Sequence, residues 1–406
     1  MELFYPLLVL LVATRVCGEL ALRAGQPPLV GELLAGIGLG IFVAHYDLPV
    51  LSGLADNEVF DALTDLGMFF LMLLAGVELE ARTLAKASLN SVWVAIGGFT
   101  LPLCCGLALG WFFVPPSPEK MALCLFIGTA LAITAIPVAV RALMDIRKLE
   151  SKVGQTIVSA AIFDDVLGLA LLAVLVSIIM TGQIPLASAL AVIALKIVVF
   201  FTVTGLLAIF VAPHVGRLLT RTRVAEFKFS ALVIAALAYA LFAELLGMHF
   251  IVGAFVAGLS FSPQATTPEM YNSVKKRLAG ITIGFLAPIF FASVGMHIRV
   301  EAIVAVPLFL ALLIATAFLA KLVGAGLAAY LVGLGKHDAI TVGVGMSGRG
   351  AVELIIADIA LQAGLFSTPG PASSIVGNLY SAIIVMAIVT TILSPIGLRH
   401  LMKDRP

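Results

Sequence analysis

The feature that most constrains this chain is a succession of apolar runs, each about 20 residues long, repeated from one end to the other. Backbone amides and carbonyls cannot stay unpaired in hydrocarbon, so a spanning segment must be a helix or a strand of a closed barrel. Barrel strands are short and alternate apolar with polar residues; these runs are long and continuous. Composition agrees. Of 406 residues, 61% are hydrophobic and 12% charged, and mean hydropathy is +1.15, too little charge to cover a soluble protein of this length. The reading is an all-α polytopic membrane protein whose solvent is a lipid bilayer. A net charge of +1 suggests no nucleic-acid partner. Cys17, Cys104, Cys105 and Cys124 lie in apolar segments without metal-type spacing and read as packing residues. The first helix lacks a basic leader and a small-residue cleavage site, so it is expected to be retained. The eleven residues after Pro395 are expected to hold no further domain.

Thirteen candidate helices follow from the hydropathy and the Gly/Pro punctuation. They lie at roughly 3–24, 28–44, 58–78, 86–113, 119–143, 152–180, 185–211, 224–247, 249–261, 273–295, 302–332, 337–364 and 372–400. With the N-terminus outside, the inside connections and C-terminus hold 18 of the 24 basic residues: Arg23, Arg82, Lys86, Arg141, Arg147, Lys148, Lys152, Arg217, Arg221, Arg223, Lys228, Lys275, Lys276, Arg277, Lys336, Arg399, Lys403 and Arg405. The outside connections hold Lys120 and Arg299. This asymmetry is what the positive-inside rule requires, and it places the C-terminus in the cytoplasm. Arg15, Lys196, Lys321 and Arg349 fall within spans.

Six helices, a linker helix at 185–211 and six more give two halves that enter the membrane from opposite sides. That is the inverted-repeat pattern of secondary transporters, whose binding sites form at interrupted helices in matching positions. The fifth helix carries Pro137 beside Thr134 in "GTALAITAIPVAVRALMD"; the twelfth clusters Gly343, Gly345, Gly348 and Gly350 in "AITVGVGMSGRGAVELIIADIAL". Within a helix Gly costs about 1 kcal/mol and Pro about 3 kcal/mol relative to Ala. Both helices are predicted to break near the membrane midplane, although Gly and Pro are commoner in membrane helices generally.

Three ionisable residues sit deep in this layer: Asp164 and Asp165 in the 152–180 span and Lys321 in the 302–332 span. An Asp or Lys at a helix centre costs about 2.5–3.5 kcal/mol on insertion scales, so they are expected to compensate one another. Consecutive helical residues diverge by about 100°; one carboxylate can meet Lys321 while the other faces a water-filled cavity, and spacing does not say which. A static Asp–Lys pair is the bland alternative, but it leaves the second Asp surplus. Desolvation and a like-charged neighbour both favour neutralising a carboxylate, by a proton or by a small cation. Competition of the two for one carboxylate is the minimum requirement for exchange. Broken helices supply carbonyls and half-helix ends, and Thr134 a hydroxyl.

These segments, "SAAIFDDVLGLALLAV", "ALAITAIPVAVRALMD", "AKLVGAGLAAYLVG" and "GMSGRGAVELIIA", together with "LVGELLAGIGLGIF", "FFLMLLAGVELE" and "IVGAFVAGLSF", resemble in their order the bacterial monovalent cation:proton antiporters of the second cation/proton antiporter branch. The resemblance covers essentially the whole chain. It implies a homodimer in the bacterial inner (plasma) membrane. A dimerisation domain at approximately 1–80 plus 224–297 would hold a mobile core at approximately 86–180 plus 302–400, moving in an elevator-like way. It implies that Asp165 binds cation and proton and that Asp164 pairs with Lys321, the set found in NapA-type electrogenic sodium/proton antiporters. Glutathione-gated potassium members typically carry Gln-Asp and an added nucleotide-binding domain; this sequence has Asp-Asp instead and is not expected to carry such a domain. Several members place an acidic residue two positions after the arginine of the twelfth helix. Here that position is Ala351, and Glu353 follows Arg349 by four, an arrangement also similar to potassium/proton antiporters. Arg349 and Glu353, four apart, can pair on a helical face, either as an ion contact or as support for the broken helix.

Other charges carry weaker expectations. Glu32 and Glu78 are placed at the interface, Arg15 and Glu19 are expected to neutralise each other, and Lys196, Glu244 and Asp358 are expected to be structural or to snorkel. His249 and His297 fall near outside helix ends. No cofactor is implied; Na⁺ (or K⁺ or Li⁺) and H⁺ are substrates. A K⁺/H⁺ antiporter is the nearest alternative. A gated cation channel or leak would want a selectivity filter or charged ring, which the sequence lacks. An organic-anion symporter would want cationic groups where the Asp pair stands. Enzyme chemistry finds no support: "GMSGRG" lacks phosphate-loop spacing and lies in an apolar span.

Overall fold

The computed structural model describes residues 4–46, 57–78, 89–134, 136–146, 148–181, 187–220, 222, 224, 226–263, 266–366 and 374–402. Of the basic residues that orient the chain, Arg82, Lys86, Arg147, Arg221, Arg223, Lys403 and Arg405 lie outside the described residues. In chain order the helices are α1 (Phe4–Arg23), α2 (Pro28–Tyr46), α3 (Glu58–Glu78), α4 (Leu89–Phe113), α5 (Lys120–Ala132), α6 (Ile136–Asp145), α7 (Lys152–Thr181), α8 (Ala187–Leu206), α9 (Ala212–Thr220), α10 (Phe227–Leu245), α11 (Phe250–Ser260), α12 (Pro268–Ile281), α13 (Ala287–Met296), α14 (Ala302–Ala305), α15 (Pro307–Leu331), α16 (Lys336–Gly345), α17 (Ala351–Gln362) and α18 (Ile375–Met402). Wide π turns at Leu207–Val211 and Thr282–Leu286 join α8 to α9 and α12 to α13. Among the described residues nine helical stretches are long and apolar enough to cross a bilayer, and three shorter apolar helices accompany them. The chain is a multi-pass, all-helical membrane protein.

Both helices predicted to break are interrupted, α5 from α6 and α16 from α17. Two boundaries differ instructively from the hydropathy reading. The helix expected at 273–295 begins at Pro268, because Thr267 caps it by accepting from the Met270 amide and Pro268 fills the first turn. That polar turn carries no hydropathy signal. The helix expected from 302 has only a short turn, α14, before Pro307 starts α15.

The chain divides into two compact units, one of residues 1–20, 31–85 and 185–296, the other of residues 21–30, 86–184 and 297–406. In the first unit α3 and α11 cross with glycines at the contact. A Cβ on Gly76 would strike the Phe255 carbonyl, and one on Gly258 the Leu73 carbonyl, so the backbones approach as closely as small-residue crossings in membranes allow. The outward face of α1 is apolar, with Leu8, Val12, Val16 and Leu20 exposed, as expected where lipid replaces water. Glu32 is buried here rather than interfacial, 3.4 Å from the Arg15 guanidinium. Arg15 also donates to the Ile283 carbonyl of a π turn. Expected near Glu19, it thus turns to Glu32, because a buried acid gains more from a cation than a solvated one. Lys196 and Glu244 are exposed. His249 is half-buried with its ring against Phe250 at 4.4 Å.

In the second unit the core is made of small and branched residues from six helices, including Val94, Ala139, Ile157, Ala325, Val342 and Leu398. α4 and α15 cross at Gly97 and Gly324, where a Cβ on either would meet the other's carbonyl. That contact fixes α15 within one turn of Lys321. His297, in this unit, is exposed.

Candidate ion-binding site

The site forms in the second unit, where the two breaks meet. The break after α5 is written in the chain chemistry. Pro137 has no amide hydrogen, so it cannot donate to the carbonyl of Ile133, four residues earlier. Ile133 leaves the helix in an extended conformation (φ −76°, ψ 143°), and α6 starts at Ile136 with Pro137 in its first turn, where the missing donor is no loss. The break after α16 spans Met346 to Gly350. Ser347 Oγ there donates back to the Gly343 carbonyl at 2.8 Å.

Side chains from elsewhere take up the freed carbonyls. Arg349, in the second break, donates through Nη1 to Ile133 and through Nη2 to Leu131 and to Ala317 of α15. Thr134, in the first break, donates to the Met346 carbonyl at 3.1 Å. Each break is thus held by the other. Because the Thr134 hydroxyl spends its proton on Met346, its oxygen keeps lone pairs that can accept or coordinate. From α18, Thr391 donates to the Arg349 carbonyl (2.8 Å) and Ser394 to the Val344 carbonyl (2.9 Å). Sequence reasoning missed both hydroxyls. Ser and Thr in membrane helices usually bond their own helix four residues back, as Thr390 does to Met386, so nothing in "TTILS" singles them out.

Lys321 settles the choice that spacing left open. Its Nζ lies 2.9 Å and 3.1 Å from the two carboxylate oxygens of Asp164, and it also donates to the Ala132 carbonyl. The ammonium therefore sits at the C-terminal end of α5, where the helix dipole is negative. Lys321 and Asp164 are both fully buried. Asp165, next in the helix, is 5% exposed and its Oδ1 has no hydrogen-bond partner. Arg349 and Glu353 are also fully buried and approach to 3.8 Å between Nε and Oε2. Of the residues singled out in the sequence, Asp164, Lys321, Thr134, Arg349 and Glu353 are tied to the breaks by these contacts, and Asp165 adjoins them on α7. Asp358, further along α17, is buried and accepts from Gln362 at 2.9 Å.

Charge counting gives the arrangement its chemistry. Around the breaks lie three carboxylates (Asp164, Asp165, Glu353) and two cations (Lys321, Arg349). If all are ionised the cluster carries one negative charge in excess. A buried excess charge is expensive, and one proton or one monovalent cation neutralises it.

The chain resembles known proteins along its whole length. Residues 7–404 match the family described as sodium/hydrogen exchanger, transmembrane. The chain is 32% identical over 399 residues to the Na(+)/H(+)-K(+) antiporter GerN of Bacillus cereus, covering 98% of this chain and 96% of that protein. It is 28% identical over 407 residues to an Na(+)/H(+) antiporter of Enterococcus hirae, covering 99% of each. Its fold is that of the sodium proton antiporter MjNhaP1 of Methanocaldococcus jannaschii, with a TM-score of 0.77 at 17% identity over 100% of this chain and 99% of the other. On the extent of these matches, this chain belongs to the transmembrane sodium/hydrogen exchanger family.

Proposed function

We propose that this protein is a secondary antiporter that exchanges a monovalent cation for protons, with Asp165 binding each in turn. The observation that carries this is the buried Asp165 carboxylate, whose Oδ1 has no hydrogen-bond partner, beside the doubly hydrogen-bonded Lys321–Asp164 pair. With every group of the cluster ionised, one cation or one proton at Asp165 restores neutrality. Thr134 and the carbonyls of the breaks supply the neutral oxygens that a dehydrated Na⁺ or K⁺ needs. Lys321 holds Asp164 and keeps it out of the exchange.

The five charges and both breaks belong to one compact unit, so that unit can carry the loaded site as a body. This supports an elevator-like cycle in which the unit of residues 21–30, 86–184 and 297–406 contains the transport core. The unit of residues 1–20, 31–85 and 185–296 would anchor it and form a homodimer. The distribution of basic residues supports an outside N-terminus and a cytoplasmic C-terminus, and the bacterial relatives support a bacterial inner membrane. Na⁺ is the leading cation. K⁺ is the second reading, favoured by the name of GerN and by Ala351 with Glu353 in place of an acid two positions after Arg349.

The test is a pH-gradient dye assay in proteoliposomes with Na⁺, K⁺ and Li⁺ added in turn. Exchange is expected for at least one cation and is expected to vanish in Asp165→Asn. Wild-type kinetics in that variant would defeat the site, and cation flux without proton movement would mark a leak instead. The cycle is expected to be electrogenic; indifference of the rate to an imposed membrane potential would reject this.

A further inference from the structure

We infer that Glu353 carries a second exchangeable proton, released when the cation binds at Asp165. The inference rests on Asp165 being the cation site and adds a group to that site's chemistry. Its starting point is a contrast between two buried ion pairs. Lys321 and Asp164 meet with two hydrogen bonds. Arg349 and Glu353 meet with none: Nε of Arg349 and both carboxylate oxygens of Glu353 are buried without a hydrogen-bond partner, and their closest approach is 3.8 Å. The remaining guanidinium nitrogens are committed to the Leu131, Ile133 and Ala317 carbonyls, so Arg349 cannot turn to clamp the carboxylate. A permanent buried ion pair is expected to have its lone pairs satisfied. This one does not.

Placement leaves the group able to lose a proton as well as hold one. Glu353 lies in the first turn of α17, where the helix amides favour a negative charge. The cations acting on it are Arg349 in its own segment and Lys321 from α15. From α7 come Asp164, which engages Lys321, and Asp165. From α18 the Thr391 hydroxyl bonds the Arg349 carbonyl, four residues before Glu353, and not the carboxylate itself.

Charge balance then sets the order of events. With Glu353 protonated and Asp165 ionised, Lys321 and Arg349 offset Asp164 and Asp165, and the cluster is neutral. A cation arriving at Asp165 makes it positive. Breaking the Glu353 O–H bond and passing the proton to water returns it to neutral. On the return, Asp165 and Glu353 each take a proton. The loaded and returning forms therefore differ by one charge, and about two protons move per cation. With Gln at 353 both forms carry the same charge, and exchange becomes electroneutral.

The experiment measures protons released per cation bound when Na⁺, and separately K⁺, is added to the purified full-length protein in detergent. It uses calorimetry in buffers of differing ionisation enthalpy. At a pH low enough that Asp165 is protonated before the cation binds, wild-type protein is expected to release about two and Glu353→Gln about one, with the voltage response of exchange lost in the variant in liposomes. An unchanged count in Glu353→Gln would overturn the inference and move the second proton to Lys321 or Asp164. Should Glu353→Gln fail to fold, infrared difference spectra decide. A protonated-carboxyl band that disappears on Na⁺ addition in the wild type and is displaced in Glu353→Asp supports the assignment; a band identical in the two defeats it. Asp165→Asn separates the two claims. If it still binds cation, the Asp165 reading itself falls, whatever Glu353 does.

Discussion

The two compact units handle buried charge in opposite ways. The first holds Glu32 against Arg15 at 3.4 Å, one acid to one base, with the guanidinium 41% exposed and also bonded to a backbone carbonyl. Its departures from α-helical geometry are π turns within uninterrupted helical stretches. The second unit gathers three acids and two bases around two open breaks, with Asp165 and Glu353 left without hydrogen bonds at Oδ1 and at both carboxylate oxygens respectively. Charge inside a membrane protein is therefore not the mark of transport by itself. An even, engaged pair is structure. An odd count with unengaged oxygens is a site that a mobile ion completes.

Substitutions can break or sharpen this contrast. The largest effect is expected from Asp165→Asn, which should reduce exchange to background while leaving the fold intact; thermal unfolding in detergent beside the liposome assay checks both. Next comes Lys321→Ala. It strands Asp164 in a fully buried position, which typically destabilises by about 3–5 kcal/mol, and exchange or its voltage response should fall with it. The double variant Lys321→Ala with Asp164→Asn should lose less stability than the sum of the two single variants, because Asp164 no longer stands charged without its partner; a loss equal to that sum would show the pair to be uncoupled. Thr391→Val removes one hydrogen bond to the second break and is expected to cost about 1 kcal/mol and to slow exchange, since it loosens the backbone that carries Arg349. The smallest effect belongs to the first unit. Glu32→Gln leaves behind an Arg15 that is 41% exposed and also bonded to the Ile283 carbonyl, so it should cost less stability than Lys321→Ala and leave exchange per folded protein unaltered. A transport defect there as large as that of Asp165→Asn would erase the distinction between the units.

Much of this was legible in the sequence because the bilayer enforces simple rules. Runs of apolar residues must be helices, and most expected boundaries fall within a few residues of those observed. Pro137 and the glycines at 343–350 announce their breaks by propensity alone, and Asp164, Asp165 and Lys321 stand out because each is costly at depth. What escaped was whatever hydropathy and spacing do not encode. Thr267 caps its helix from three residues away, in a polar turn without hydropathy signal, whereas Glu32 turning inward to Arg15 and Thr391 with Ser394 reaching across to another segment depend on partners elsewhere in the chain. Spacing leaves open which aspartate meets Lys321, because a 100° step about α7 cannot be resolved without knowing where α15 lies; the family resemblance alone points to Asp164.

Proline 137 has a consequence beyond ending a helix. By withholding a hydrogen from Ile133 it leaves an acceptor that a donor 216 residues away, the guanidinium of Arg349, satisfies. Neither interruption can then be repaired alone: rewinding one helix would orphan a group belonging to the other. Two defects that would each be a liability in isolation become a lock with two keys, so the irregular geometry at the centre of the bundle is an all-or-nothing property of the finished unit.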